Sequence, residues 1–339
     1  MKKMFTLMAA FAIVFCMAAC GNTAGNDAAG NSEPVVVTEG KPETITIQAL
    51  NANKEMAEIQ VPYNPKRIAI LDMPALDIVD ALGLGDRIVG SAAVSIEYLT
   101  DYNPDDSNDT IMNLGTVKTA DLEKVAACEP DIIFIGGRLS SVYSDLEAIA
   151  PVVYLAVDYE KGIVESTRYN AQTIASIFGM ETQVDAMFAD FQPRIDALNA
   201  VLRGKNVLLG MYNANALGLM GTASQLNLIA KELGANNLSE SVGEAEKATH
   251  GEEASWETII TLNPEYMFIL DRSTATGASD EGVMGAREVI ENELIQELDV
   301  YKKGKIVYFI EHANVWYTST GGVQALDTML ADLEGSLLN

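Results

Sequence analysis

The chain has 339 residues, 48% of them hydrophobic, with 22 Lys+Arg against 48 Asp+Glu and a formal net charge of -26 at pH 7. That length and apolar fraction suit about two packed domains and exclude disorder along the whole chain. A polyanion without a Lys/Arg stripe releases no counterions from a phosphate backbone and gains nothing at anionic lipid, so nucleic acid is excluded and any membrane tether must be covalent or a spanning helix.

The first element is an address. Lys2 and Lys3 precede an apolar run, Met4 to Ala19, that is too short to span a bilayer and ends in small residues. Met17-Ala18-Ala19-Cys20 resembles a bacterial lipobox, which predicts a signal peptide over 1–19 and lipid on Cys20. Residues 20–40, rich in Gly, Asn and Ala, read as a flexible tether. Cleavage also removes Cys16, which leaves Cys128 without a disulfide partner; its apolar setting predicts a small buried hydrophobe.

Residues 41–180 read as one α/β lobe and 204–339 as a second, because the two halves share a grammar. Asp121 to Arg138 aligns without a gap on Ser255 to Arg272: a short amphipathic helix, a Pro, an acidic residue, an apolar strand, and an Arg just past its end. A second echo pairs Ile68 to Leu71 and a helix ending at Leu82-Gly83 with Val207 to Gly210 and a helix ending at Leu233-Gly234. Strands such as Ile132 to Ile135 and Met267 to Leu270 are apolar throughout, as buried parallel strands are. Between the lobes, 181–203 lacks Gly and spaces Val184, Met187, Phe188, Phe191, Ile195, Leu198 and Leu202 as a helix would. Such a helix, about 33 Å long, is a strut that restricts lobe motion, with a kink or boundary expected at Pro193.

In open α/β sheets ligands bind beyond the carboxyl ends of the strands. Arg138 and Arg272, two of only eight arginines, occupy that place in matched positions and are expected to face one cleft. Guanidinium forks there would hold an anionic ligand against the repulsive field of an acidic protein; the alternative is that each pairs with a neighbouring carboxylate such as Asp271. His250 and His312 are the only histidines and are not at metal-ligand spacing, which argues against a multi-imidazole metal site. His250 falls in a loop before the second Arg strand, and Trp316-Tyr317 in a polar loop before Gly321-Gly322 offers an aromatic wall with a phenol; either feature alone also fits a structural role. Phosphate-loop, nucleophile-elbow and H-E-x-x-H motifs are absent, Gly83-Leu84-Gly85 lacks a third glycine, and Asp105-Asp106 and Glu252-Glu253 read as solvated loop charges.

These residues converge on a family. The signal ending in Cys20, Asn64 to Ile70, Ala81-Leu82-Gly83, Leu114-Gly115, Pro130 to Phe134, Thr249-His250-Gly251, Asn263 to Tyr266, Asp271-Arg272 and Trp316-Tyr317 together resemble the iron-siderophore substrate-binding lipoproteins of ABC importers, in particular the enterobactin- and petrobactin-type catecholate binders. The resemblance runs from about Pro62 to the C-terminus. It implies two similar α/β lobes joined by a long backbone helix, the class III substrate-binding architecture, with a shallow cleft between them. It also implies a ligand shell in which Arg138 and Arg272 grip the ferric catecholate while His250 and Tyr317 complete the coordination of iron. A third family arginine is replaced, since the chain reads Ser224-Gln225, and this favours a ligand of lower charge than a tris-catecholate. Docking on the permease through one acidic residue per lobe is implied for Asp77 and, more weakly matched, Glu232.

The resulting expectation is a monomeric, lipid-anchored binding protein at the outer face of the cytoplasmic membrane that delivers a ferric siderophore to an ABC permease. It is expected to have no catalytic residues and no intrinsic cofactor, Fe(III) arriving within the ligand. A corrinoid or haem binder on the same scaffold is the alternative, and an exported two-lobed enzyme a more distant one.

Overall fold

The computed structural model describes residues 43–104, 110–242, 252–253, 255–277, 284–302 and 307–338. The signal and tether, Cys20, His250 and the Asp105-Asp106 pair lie outside the described residues.

Seven strands build the first sheet in the order Met56–Pro62, Thr44–Leu50, Val152–Tyr154, Ile132–Ile135, Ile68–Leu71, Ile88–Ser91, Met112–Asn113. The first two form an antiparallel hairpin at one edge, and the strands from Val152–Tyr154 onward run parallel. Ile68–Leu71 and Ile132–Ile135 are buried at every residue, which requires cover on both faces and explains their unbroken apolar character. The second sheet runs Glu252–Glu253, Ala216–Leu219, Asn206–Asn213, Tyr266–Asp271, Val307–Phe309, with Asn236–Asn237 beside the start of Asn206–Asn213.

The internal repeat has a physical basis. Asp121 and Ser255 each cap their helix, accepting from the Lys124 and Thr258 amides. Glu129 and Asn263, each before a proline, both turn the chain with positive φ, 44° and 42°. The acid after each proline then pins the start of the neighbouring parallel strand: Asp131 Oδ2 accepts from the Lys66 and Arg67 amides, and Glu265 Oε2 from the Asn206 amide. The second echo holds less fully. In the C-terminal half Asn206–Asn213 first folds back on Ala216–Leu219 through Ala214 and Asn215, both at positive φ, and only then reaches the helical turn Leu228–Glu232.

A single helix occupies Glu181–Leu202 and continues through Pro193 without ending. Val184, Phe188, Phe191, Ile195, Leu198 and Leu202 form its buried face, against the helices Ile163–Phe178 and Val323–Leu337. Next to the proline, Arg194 reaches the last helix with Nε and Nη2 on the two carboxylate oxygens of Glu334, at 2.8 and 2.9 Å, and Nη1 on Asp327.

Residues 204–339 do not stay in one lobe. The helix Val323–Leu337 crosses back onto the helix Met73–Ala81 of the first lobe, and one apolar core runs from Ile47 to Leu333 through both halves. Asp77 explains how the crossing is held. It is fully buried, accepts from the Gln324 and Ala325 amides and from the Tyr98 hydroxyl, and so caps the C-terminal helix in place of Gly322, which has no side chain. Gly322 is needed here for space, because a Cβ would lie 2.4 Å from the Asp77 carboxyl carbon. A second core of Leu208, Tyr212, Ile269, Ile290 and neighbours fills the other face of the second sheet.

Candidate ligand-binding cleft

The carboxyl ends of the first sheet's parallel strands deliver Asp72, Gly136 to Arg138 and Leu155 to Val157 to one cavity of about 310 Å³, and Gln225, Tyr317 and Thr318 from the second half close its other side. A further cavity of about 220 Å³ shares Asp72, Arg138 and Tyr317 with it and extends to Ser95 and Val117. Together they form a cleft of small-molecule size at the place an open parallel sheet offers one.

Arg138 projects from the turn Gly137–Val142 just past Ile132–Ile135, is exposed, and among the described residues forms no hydrogen bond or ion pair. Arg272 opens the helix Arg272–Thr276 just past Tyr266–Asp271. Asp271 is its helix cap, accepting from Ser273, Thr274 and the Thr274 hydroxyl, and so leaves the guanidinium to other groups. Arg272 donates instead from Nε to the Tyr317 hydroxyl at 3.0 Å and from Nη1 to Asn213 Oδ1 at 2.8 Å. Both acceptors are neutral, so neither cancels its charge; Arg272 itself lines neither cavity and meets them through Tyr317. Tyr317 thus stands between Arg138, with which it shares both cavities, and Arg272, which holds its phenol oxygen.

Trp316 is a correction. Residues Ala313–Thr318 form a short helix where a polar loop was expected, and successive residues of a helix point about 100° apart. Tyr317 therefore lines the cleft while Trp316 turns inward, fully buried, its Nε1 donating to Asp332 Oδ2 at 2.9 Å. The docking candidates are corrected too. Asp77 is an internal cap, as described above. Glu232 lies in the seam between halves, where Oε1 accepts from the Val164 amide at the start of the helix Ile163–Phe178 and Oε2 is buried with no hydrogen-bond partner among the described residues. Neither carboxylate is presented to a permease.

Sequence reasoning missed Asp72. It lines both cavities, caps the helix Met73–Ala81 through Oδ2, and burial pushes its pKa up to about 6. Its position directly after Ile68–Leu71, matching Arg272 directly after Tyr266–Asp271 and Arg138 three residues past Ile135, was the available signal. Glu311, His312 and Asp332 bring ligating atoms within 4.8 Å of one another, but Asp332 already accepts from the His312 amide, the imidazole and the Trp316 indole.

Two α/β lobes joined by a long helix, with a cleft at the strand ends, define a substrate-binding protein of the class III type. The periplasmic binding protein family model matches residues 68–312, and the chain belongs to that family. It is 31% identical to the petrobactin-binding protein YclQ of Bacillus subtilis (strain 168), over 99% of this chain and 99% of that one. The crystal structure of that protein matches with a TM-score of 0.77 at 30% identity, covering 88% of this chain and 100% of the other. The iron uptake ABC transporter substrate-binding protein PiuA from Streptococcus pneumoniae matches with a TM-score of 0.74 at 27% identity, again covering 88% and 100%.

Proposed function

We propose that this chain is the extracytoplasmic binding lipoprotein of an ABC importer, anchored by lipid on Cys20, and that it captures a ferric catecholate-type siderophore in the interlobe cleft for delivery to the permease. The observation that carries this reading is the triad of Arg138, Tyr317 and Arg272: one guanidinium without a partner among the described residues, a phenol at the cavity wall, and a second guanidinium that holds that phenol and rests on neutral acceptors. Guanidinium donors suit the anionic oxygens of catecholate, and the Tyr317 oxygen, together with His250, is the ligand pair for iron left open by a chelator of low denticity. Gln225 at the same cavity contributes an amide where a third cation would favour a trianion, which supports bis- over tris-catecholate. The relatives compared above are named as binding proteins, and the cleft's groups bind and orient; no step of bond making is assigned to them.

Calorimetric titration with a ferric bis-catecholate, a ferric tris-catecholate, haem and a corrinoid tests the assignment. Arg138→Ala is expected to weaken bis-catecholate binding about tenfold or more, the equivalent of one charge-assisted hydrogen bond, with an unchanged Tm. Saturation by haem or corrinoid alone, or undiminished affinity in Arg138→Ala, would overturn it.

A further inference from the structure

We propose that the hollow where the edge hairpin joins the parallel strands is an apolar annex of the cleft, and that it takes an uncharged aliphatic tail carried by the chelate. This rests on the siderophore reading above and adds to it a part of the ligand outside the iron-binding groups.

The hollow follows from the way the first sheet is joined. Thr44–Leu50 and Val152–Tyr154 form one register pair, Leu50 with Tyr154, the last residue of each strand. A cavity of about 280 Å³ lies at that junction, lined by Leu50, Met56, Tyr154, Leu155 and Tyr169. It is continuous with the cleft: Leu155, Ala156, Val157 and Asn170 line both it and the larger cleft cavity. Tyr154 also reaches across, because a Cβ at Gly137, the residue before Arg138, would come within 3.1 Å of its hydroxyl. Met56 and Tyr169 are 54% and 40% exposed, so this wall leaves apolar surface in water.

The polar side chains of the hollow are already engaged, which decides what it can take. Lys161 pairs with Asp158 at 3.4 Å, Ser166 Oγ donates to the Asp158 carbonyl, and Asn170 Nδ2 donates to the Ala156 carbonyl. A charged ligand group finds no unpaired counter-charge there. The Lys161 ammonium also lies over the Tyr169 ring, 5.8 Å from its centroid, and takes up a face on which an aromatic group would stack. Aliphatic contact is what remains. A free fatty acid would bring its carboxylate to a rim whose lysine is already paired, whereas a tail borne by a chelate held at Arg138 enters as an intramolecular second contact and needs no charge of its own.

The chain from Gly21 to Asn339 keeps every described element and needs no detergent, which would compete for the tail. Two ferric bis-catecholates that differ only in one linker substituent, methyl or octyl, are titrated by calorimetry below the micellar concentration of the octyl compound. The octyl chelate is expected to bind the unsubstituted protein about tenfold or more tighter, the equivalent of burying about two methylenes, and the two are expected to bind alike to Met56→Glu and to Tyr169→Glu. Either variant suffices should the other fail to fold. Equal affinities in the unsubstituted protein, whether or not octanoate alone binds, or an octyl preference that survives in a folded variant, would overturn the annex and leave the siderophore reading standing. Binding of neither chelate would overturn the siderophore reading and this inference with it.

Discussion

Asp332 shows how much one buried carboxylate organises. From the C-terminal helix it accepts from the His312 amide at 3.2 Å, His312 Nδ1 at 2.6 Å and Trp316 Nε1 at 2.9 Å, and so fixes the start and middle of the helix that presents Tyr317. The hydrogen bond to Asp332 raises the His312 pKa. In Asp332→Asn the imidazole loses its anionic partner, and its NMR titration midpoint is expected to fall toward that of an ordinary histidine. The indole keeps an acceptor in the amide oxygen of the asparagine, so Trp316 emission is expected to change little, while stability should drop by about 1–3 kcal/mol with the loss of the charge-assisted bonds. An unchanged His312 titration would mean that the brace does not exist in solution.

Among the elements, the helix Glu181–Leu202 carries the instructive tension. A proline in a helix interior lacks a donor and crowds the preceding turn, which costs about 3 kcal/mol relative to alanine. The helix nevertheless runs on, because six apolar side chains are buried along one face and Arg194 binds Glu334 and Asp327 on the neighbouring helix immediately after the proline. Pro193 itself is exposed. Pro193→Ala is therefore expected to stabilise the protein by about 1–2 kcal/mol, the helix gain being partly offset by the greater freedom of the unfolded chain. A lower Tm in this variant would show that Pro193 contributes to packing in the folded state.

At the scale of the whole molecule, the two halves share a core and are tied by more than the linking helix. Asn227 Nδ2 donates to the Tyr159 carbonyl, Glu232 caps the helix Ile163–Phe178, and Asp77 caps the C-terminal helix. Wide separation of the lobes would break these bonds and expose apolar surface. Several of these acids sit well above ordinary carboxylate values because they are buried: Asp77 at about 7, Glu232 at about 7 and Asp72 at about 6. Between the unfolded values near 4 and these folded values, the native state binds more protons than the unfolded chain, so stability is lost as pH rises through 6 to 7. His312 acts in the same direction: its contribution is complete below the unfolded value of 6.5 and is lost as pH passes its raised folded value. Self-repulsion of a chain with net charge -26 adds to the trend. The Tm is expected to be higher at pH 5 than at pH 8, by an amount on the order of a few kcal/mol in stability; a flat or opposite profile would mean that these acids are not buried as described.

The sequence by itself determined the α/β class, the Asp121–Arg138 and Ser255–Arg272 repeat and the long helix, because strand burial, helix caps and apolar spacing are local patterns that one face of an element must satisfy. It also placed Arg138 and Arg272 at strand ends, since topology alone puts those positions on one side of a parallel sheet. What neighbours do is not local. Trp316 and Tyr317 are adjacent letters, and only the helix Ala313–Thr318 and the distant Asp332 decide that one is core and the other cleft. Asp77 looked like a surface acid of a helix until a chain segment some 250 residues later arrived to be capped by it. Tertiary structure alone settled these cases, because a carboxylate's role depends on which donors reach it, and those donors come from elements far away in the chain.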